Sequence, residues 1–285
     1  MLHYEFKRHG ALESFVARSA TFNRQSSTLM GRVIAIANQK GGVGKTTTAI
    51  NLAASLAALD RRILLIDLDA QANATSGLGF PREDQGPRSY DVLLAGSADG
   101  AVRETAFPNL SLLPSGRDLV GAEIELVDKT GREARLKQAI EPLRENFEFL
   151  FIDSPPSLSL LTINALTAAD AVLVPIQTEY FALEGVSEFL ETVERVRGSF
   201  NPSLEIEGIV LTMFDERTNL ARQVTDDIRQ HFGDSVFKTV IPRNVRLGEA
   251  PSFGKPVLAY DVKSKGAEAY LALAREFLKR DGARR

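Results

Sequence analysis

The residues best suited to chemistry in this chain form a glycine-rich loop with two lysines. The loop reads Gln39-Lys40-Gly41-Gly42-Val43-Gly44-Lys45-Thr46-Thr47-Thr48. Glycines let backbone N–H groups converge on phosphate oxygens, and a helix beginning here adds the positive end of its dipole. In such a loop Lys45 reaches the outer phosphates and the Thr46 hydroxyl binds Mg²⁺. The spacing predicts a phosphate cradle; the alternative is a glycine-rich turn that only caps a helix.

One position departs from the common phosphate-loop pattern G-x-x-x-x-G-K-[ST], which requires glycine at position 39. Gln39 stands there instead, and Lys40 follows it, five residues before Lys45. A second cation near the outer phosphate can oppose the negative charge that develops during phosphoryl transfer. Position alone does not decide between that role for Lys40 and an ordinary surface lysine.

Three aspartates follow apolar runs and are candidates for binding metal or water. Asp67 and Asp69 come at the end of the run from Arg62, and Asp153 ends the run from Phe149. Strand ends of open α/β sheets face the ligand crevice, and an acid there can hold a magnesium-bound water. Each acid alone has a plainer explanation, because acids after strands also cap helices or lie in solvated turns. The order of loop and acids along the chain favours one joint site.

Apolar, β-branched runs alternate with helical periodicity from residue 31 onward. The predicted strands are Arg32–Asn38, Arg62–Asp67, Leu110–Pro114, Phe149–Asp153, Ala171–Ile176, Ile206–Thr212 and Val236–Ile241. The predicted helices are Lys45–Leu59, Asp118–Phe147, Leu183–Val196, Leu220–Phe232 and Gly266–Lys279. This alternation predicts an α/β fold with a doubly wound, mostly parallel sheet covered by helices on both faces.

Composition narrows the class of protein further. The 285 residues are 44% apolar and 25% charged, and they include no cysteine, which excludes a disulfide scaffold and thiolate-ligated zinc or iron–sulfur sites. The net charge of −3 gives no overall attraction to nucleic acid, although residues 210–285 hold 14 Lys+Arg against 10 Asp+Glu. We expect one domain over 30–285. The extension 1–29 is predicted to be disordered or an artefact of start assignment, with Met30 as the natural start.

The segment KGGVGKTT at 40–47 resembles the deviant Walker A loop of the ParA/MinD group of P-loop ATPases. Two further blocks, at 212–220 and 241–256, resemble the chromosomal ParA proteins called Soj, and the resemblance runs from Gly31 to about Phe277. Two positions depart from the pattern: Ala70 replaces a usual proline in the stretch after Asp67, and Gly248 replaces a usual serine.

The resemblance implies an ATPase that uses ATP and Mg²⁺. The implied nucleotide-binding residues are Lys40, Gly41, Gly42, Val43, Gly44, Lys45, Thr46, Thr47, Pro242, Arg243 and Asn244, the last three beside the adenine. The implied catalytic residues are Lys40, Lys45 and Asp69, and those at the metal are Thr46, Asp67 and Asp153. In that family the lysine at the position of Lys40 crosses a dimer interface to the partner's nucleotide, and Asp69 would orient the attacking water.

The resemblance also assigns two arginines, Arg217 and Arg246, to non-specific binding of double-stranded DNA. The planar guanidinium suits phosphate oxygens, and such contacts carry no sequence information. By residue type alone, both arginines could instead be solvated or paired with Asp215, Glu216 or Glu249.

The implied function is chromosome or plasmid partitioning in the bacterial cytoplasm, on the nucleoid. An ATP-bound homodimer would bind DNA, and a ParB-like centromere-binding protein would stimulate an otherwise slow hydrolysis and release it. The alternatives are a MinD-like membrane-associated positioning ATPase and a ParA-like positioner of another cargo. The C-terminal helix separates the first from the others: we expect its apolar side to pack on the sheet and its basic end to fray, so stable membrane binding is not expected.

Overall fold

The computed structural model of the chain describes residues 30–81 and 86–284; the extension predicted at 1–29 lies outside them. The described residues contain eight strands. They are β1 Arg32–Ile36, β2 Ile63–Asp67, β3 Arg103–Glu104, β4 Leu110–Leu113, β5 Phe149–Asp153, β6 Ala171–Gln177, β7 Glu205–Phe214 and β8 Val236–Pro242. One sheet joins them in the order β3-β4-β2-β5-β1-β6-β7-β8. Its neighbours are parallel except for the antiparallel pair β3–β4, which confirms the predicted mostly parallel sheet.

Helices follow most of the strands. They are α1 Lys45–Ala57, α2 Asn73–Gly77, α3 Ser89–Ala95, α4 Leu119–Glu125, α5 Arg135–Ile140, α6 Leu160–Ala168, α7 Ala182–Ser199, α8 Asn219–Phe232, α9 Val245–Glu249, α10 Val257–Tyr260 and α11 Lys265–Arg284. Short 3-10 turns occur at Arg132–Ala134, Glu141–Glu145, Gly233–Ser235 and Ala250–Phe253.

Two apolar cores cover the two faces of the sheet, because successive strand residues point to opposite sides. Val33 and Ala35 of β1 belong to the core that includes residues of α3 through α8. Ile34 and Ile36 belong to the other core, with residues of α1, α9, α10 and α11. The helices therefore lie on both faces, as the doubly wound prediction requires.

The sheet order decides which loops meet. β1 lies between β5 and β6, and β5 lies between β1 and β2. The registers pair Ile36 with Asp153 and Asp153 with Asp67. Because parallel strands all end at the same edge, the loops that follow β1, β2 and β5 open side by side, where ligands bind in such sheets.

The predicted single helix Asp118–Phe147 is wrong. The chain there forms α4, two 3-10 turns and α5. Gly131 is left-handed (φ 70°) and Pro142 stands in the first turn of the second 3-10 segment, so continuous α-helical geometry is interrupted twice. The apolar spacing nevertheless marked the inward side, because Leu119, Leu136 and Ile140 are all buried.

The C-terminal helix α11 packs its apolar side on the sheet, as predicted. Tyr270, Leu273 and Phe277 are fully buried, and the Phe277 ring meets the Phe149 ring edge-on at 5.2 Å. Its basic end is not frayed: the helix continues to Arg284, and Arg280 lies 4.0 Å over the Phe237 ring. Across residues 30–81 and 86–284, no helix combines the length and apolarity needed to cross a membrane.

Candidate functional site

The glycine-rich loop connects the end of β1 to the start of α1. Gly42 and Gly44 take the left-handed conformation, with φ of 75° and 85°. Gly44 immediately precedes α1, and no described side chain caps that helix. An uncapped helix start leaves several N–H groups free for an anion, and left-handed glycines let a loop curve around it. Around Gly42 no described atom would come within 4 Å of an added Cβ, so this side of the loop is open.

Contacts with the backbone of β6 and with a side chain of α7 fix the start of the loop. The Asn38 amide donates to the Pro175 carbonyl at 2.9 Å, and its oxygen accepts from the Lys40 amide at 3.0 Å. The Gln39 amide donates to the Thr192 hydroxyl at 2.6 Å. Gln39 therefore anchors the loop through its side chain, a role that glycine at that position cannot fill.

Lys45 lies inside the loop. Its Nζ donates to the Lys40 carbonyl at 3.0 Å, and the residue is 7% exposed. Burial lowers the Lys45 pKa, while the charges of Asp153 and Asp69 act in the opposite direction. The structure thus brings the predicted lysine and two of the predicted carboxylates into one electrostatic cluster.

Lys40 points elsewhere. Its Nζ forms an ion pair with Glu179 Oε1 at 2.8 Å, and the two side chains are 39% and 41% exposed. Glu179 follows β6 and was not among the sequence candidates. Exposed ion pairs of this kind contribute little to stability, so Lys40 can exchange this carboxylate for another anion at small cost.

Asp67 and Asp153 are adjacent at the ends of β2 and β5, and both are fully buried. Burial raises the pKa of Asp67 to about 6, opposed by hydrogen bonds to its Oδ2 from the Thr75 amide (2.8 Å) and hydroxyl (2.7 Å). Burial, followed by the charge of Asp67, raises the pKa of Asp153 well above the usual carboxyl range. Two buried like charges this close need a cation or a proton between them.

The two carboxylates differ in how they are satisfied. Asp67 Oδ1 accepts from the Asp69 amide at 3.2 Å, so both of its oxygens are used to hold the following loop. Neither oxygen of Asp153 has a hydrogen-bond partner among the described residues. The Thr46 hydroxyl is near enough to lower the Asp153 pKa, but it completes no hydrogen bond to that carboxylate.

These unsatisfied oxygens fit a hydrated magnesium ion that arrives with a phosphate ligand. Within the part of the chain that the structure describes, no group of three His, Cys, Asp or Glu side chains could enclose a metal. Mg²⁺ does not need one, because it keeps several waters and takes one or two protein ligands plus phosphate oxygens. Thr46 and Asp153 are the candidates to hold it, since Asp67 uses both of its oxygens on the loop that follows β2.

Asp69 lies at the mouth of the same cluster and is half-buried. Its Oδ1 accepts from the Gln71 amide at 2.9 Å, while its charge acts on Lys45 and Asp153. The loop closes through Ala72, which is left-handed (φ 51°) and whose amide donates to the Asp69 carbonyl at 2.9 Å. Ala70, which replaces the usual proline, therefore sits in a turn that other contacts maintain.

The segment 242–244 begins at the last residue of β8. The Arg243 amide donates to the Phe214 carbonyl at 3.0 Å, which ties this segment to the end of β7. The Asn244 side-chain oxygen caps α9 by accepting from the Arg246 amide at 3.0 Å.

The two candidate DNA-contacting arginines are exposed and pair with nearby acids, Arg217 in the loop after β7 and Arg246 in α9. Arg217 forks onto Asp215, with Nε–Oδ1 at 2.8 Å and Nη2–Oδ2 at 2.6 Å, which lowers the pKa of Asp215 to about 2. Arg246 contacts Glu249 at 2.7 Å and Asp261 at 3.3 Å. The ion pairing that residue type alone left open is thus observed at both positions.

Sequence reasoning missed the residues that hold the site from a distance. Thr75 and Ser115 are linked, because the Ser115 amide donates to the Thr75 hydroxyl at 2.9 Å beside Asp67. Thr212 of β7 donates its hydroxyl to the Val43 carbonyl in the loop at 2.8 Å. One signal was available: Thr75 lies in α2, only eight residues after Asp67, and its hydroxyl is a possible donor to that carboxylate.

The chain is similar to known proteins over most of its length. Residues 31–206 match a family model described as an AAA domain. The chain is 57% identical to chromosome partitioning protein ParA of Caulobacter vibrioides, over 88% of this chain and 95% of that protein. It is 55% identical to sporulation initiation inhibitor protein Soj of Bacillus subtilis, over 87% and 98%. The solved structure of cobyrinic acid a,c-diamide synthase from Mycobacterium smegmatis, with bound ATP analog and magnesium, aligns with a TM-score of 0.78 and 39% identity, covering 90% and 97%.

Proposed function

This chain belongs to the ParA/Soj family of chromosome-partitioning ATPases, and from that premise we propose that its ATP-bound form is a homodimer that binds double-stranded DNA without sequence preference. A ParB-like partner at the centromere would stimulate hydrolysis and release the dimer from the nucleoid. The observation that carries the proposal is that one chain contains both a lysine-bearing glycine-rich loop and two exposed arginines. The loop can bind the outer phosphate of ATP, and the arginines can bind the phosphate backbone of DNA.

The chain's own residues supply each part of ATP hydrolysis. Lys45 and the free N–H groups at the start of α1 hold phosphate oxygens, and Asp69 at the mouth of the cluster orients water. Magnesium, when bound through Thr46 and Asp153, neutralises charge on the outer phosphates. The likeness to a solved structure with an ATP analog and magnesium supports this ligand pair. A single carboxylate as the group that orients water is consistent with slow hydrolysis in the absence of a partner.

The proposed DNA contacts rest on the chemistry of Arg217 and Arg246. Each guanidinium already holds a carboxylate, and Arg217 does so in the fork geometry that also fits a phosphate. Exposed ion pairs contribute little to stability, so a DNA phosphate can displace Asp215 or Glu249. A dimer would double the number of such sites and offset the net charge of −3.

DNA binding tests the proposal directly. The wild type and the variants Arg217→Ala and Arg246→Ala would be titrated with a random-sequence duplex in ATP, in ADP and without nucleotide, across a salt series. We expect ATP-dependent binding by the wild type. In each variant the fall of log affinity with log salt should be less steep. The slope should be smaller in magnitude by about one for each phosphate that the missing arginine no longer neutralises. Arg195 of α7 is 73% exposed and pairs with Glu191 within its own helix, so Arg195→Ala is the matched control. Wild-type protein that binds ATP but not DNA would contradict the proposal.

Lys40 is proposed to act across the dimer. Lys40→Ala should lower ATP hydrolysis about 10²-fold and abolish ATP-dependent dimerisation, because the charge opposing the partner's outer phosphate is removed. Glu179→Gln removes the observed partner of Lys40 but keeps the lysine, and it should dimerise at least as well as the wild type. Light scattering with a slowly hydrolysed ATP analogue measures the dimer, and phosphate release measures the rate. Wild-type dimerisation by Lys40→Ala would refute the role.

The position of α11 argues against the membrane-associated alternative. The apolar side of this helix is buried against the sheet, and Arg32 joins Asp281 near its end at 2.5 Å. Positioning of a cargo other than DNA would use the same ATP and DNA chemistry and differ in the partner alone.

A further inference from the structure

We infer that the segment Thr212–Arg217, called here the connecting segment, transmits the position of the phosphate-binding loop to Arg217, and that Thr212 is the positioning residue that attaches it. The inference rests on the proposed function, because Arg217 receives its DNA contact there. It adds a physical route by which the nucleotide controls DNA binding and names the residue on which that route depends.

The attachment is a hydrogen bond between two buried residues. The Thr212 hydroxyl donates to the Val43 carbonyl at 2.8 Å, and the two residues are 2% and 1% exposed. Val43 stands between the two left-handed glycines of the loop. An added Cβ on Gly44 would lie 3.8 Å from Thr212 atoms and from the Met213 terminal methyl. The end of β7 therefore meets the loop through a polar contact and through close packing.

Met213, the next residue, has an unusual backbone. Its φ is 52°, a left-handed conformation that disfavours any residue with a Cβ. Such a conformation persists where surrounding contacts over-determine it, and it is enriched at switching segments. The contacts lie on both sides: the Thr212 carbonyl accepts from the Thr178 amide at 3.4 Å, and the Phe214 carbonyl accepts from Arg243 at 3.0 Å. The conformation of Met213 thus depends on where its neighbours hold Thr212 and Phe214.

Beyond Phe214, hydrogen bonds to Asp215 hold the connecting segment in a tight turn. The Asp215 carboxylate accepts from both the amide and the side chain of Arg217, and its carbonyl accepts from the Thr218 amide at 3.1 Å and hydroxyl at 3.0 Å. Thr218 in turn caps α8. Arg217 follows Thr212 by only five residues, each adding at most about 3.8 Å of chain. A shift of the loop that moves Thr212 must therefore be taken up at Met213 or passed on to Arg217.

The consequence is a coupling that acts in both directions. A nucleotide that favours one position of Val43 favours one arrangement of the connecting segment, and DNA bound at Arg217 favours the same one. Linkage requires that ATP raise DNA affinity by the same factor as DNA raises ATP affinity. Without the Thr212 hydroxyl, the loop and the arginine would respond separately.

Three variants test the inference. Thr212→Val keeps the shape and removes the hydroxyl, Thr212→Ser keeps the hydroxyl, and Thr225→Val is the control. Thr225 is a buried threonine of α8 whose hydroxyl has no hydrogen-bond partner in the described part of the chain. The first readout is the ratio of DNA affinity in a slowly hydrolysed ATP analogue to that in ADP. We expect Thr212→Val to lower this ratio at least about fivefold, the smallest usual coupling. Thr212→Ser and Thr225→Val should keep the wild-type ratio.

A second readout does not depend on DNA. Hydrogen exchange at the Arg217 and Thr218 amides, whose acceptors belong to Asp215, should change when the ATP analogue binds the wild type and Thr212→Ser, but not Thr212→Val. If Thr212→Val is poorly folded, Met213→Gly keeps the Thr212 attachment, removes the left-handed constraint and should likewise reduce both responses.

The outcomes separate this inference from the proposed function. Wild-type responses in both Thr212→Val and Met213→Gly would overturn the connecting segment while leaving DNA binding by Arg217 in place. If the wild type shows no nucleotide-dependent DNA binding but the exchange response disappears only without the Thr212 hydroxyl, the proposed function fails and the attachment stands. Absence of any exchange response in the wild type overturns the attachment.

Discussion

Replacing Lys45 with glutamine should reduce ATP hydrolysis by about three orders of magnitude and leave the chain folded. Removing one preorganised group that stabilises transition-state charge typically costs about 10²–10³-fold, and Lys45 also holds its charge in a buried place where it is little screened. We expect the fold to tolerate the change because burial, which lowers the Lys45 pKa, already opposes the charged form. Glutamine keeps most of the length and can still donate to the Lys40 carbonyl.

Phosphate release measures the loss of hydrolysis, and thermal unfolding measures the stability. Lys137→Gln is the matched control, since Lys137 is an exposed lysine of α5 and its removal should change neither quantity. Hydrolysis by Lys45→Gln within about tenfold of the wild-type rate would remove Lys45 from the catalytic set.

The alternation of strands and helices was readable from the sequence because the strands are buried on both faces and therefore form apolar runs. The same reasoning predicted too long a helix at Asp118–Phe147. Buried apolar residues recur at helical spacing through that range, but Gly131 and Pro142 interrupt the α-helical geometry. It also missed β3, because Arg103–Glu104 is a two-residue strand set by its antiparallel pairing with β4 rather than by its own residue types.

At the site, the sequence indicated the groups that act and not the groups that hold them. Lys45 and the three aspartates stand in local motifs whose spacing carries their chemistry. Thr75 acts on Asp67 eight positions away, and Thr212 acts on Val43 from a strand 169 positions away. Only the sheet order brings β7 to within two strands of β1, and no local pattern encodes that distance.

Asp153→Asn should lose magnesium-dependent hydrolysis by about two to three orders of magnitude and, without nucleotide or magnesium, unfold at a higher temperature than the wild type. Asparagine removes one of two fully buried like charges at paired register positions. Relieving a buried charge of this kind is worth about 1 kcal/mol or more, which corresponds to about 2–4 °C in a chain of this size. Because the folded Asp153 pKa is raised, wild-type stability falls as pH rises through that pKa. The advantage of the variant should therefore widen toward alkaline pH.

Asp67→Asn is the control that makes this prediction sharp, because it is the same change one strand away. The two Asp67 oxygens accept from the Thr75 amide, the Thr75 hydroxyl and the Asp69 amide. An asparagine side chain offers one acceptor oxygen in place of two, so at least one buried donor is left without its acceptor and the unfolding temperature should fall. Opposite shifts in the unfolding temperatures of the two variants would show that the two carboxylates have different roles. The Asp153 charge would be unfavourable without a cation, and the Asp67 carboxylate would stabilise the loop that follows β2. Equal shifts would mean that the two carboxylates share one role, and the assignment of Asp153 to the metal would fail.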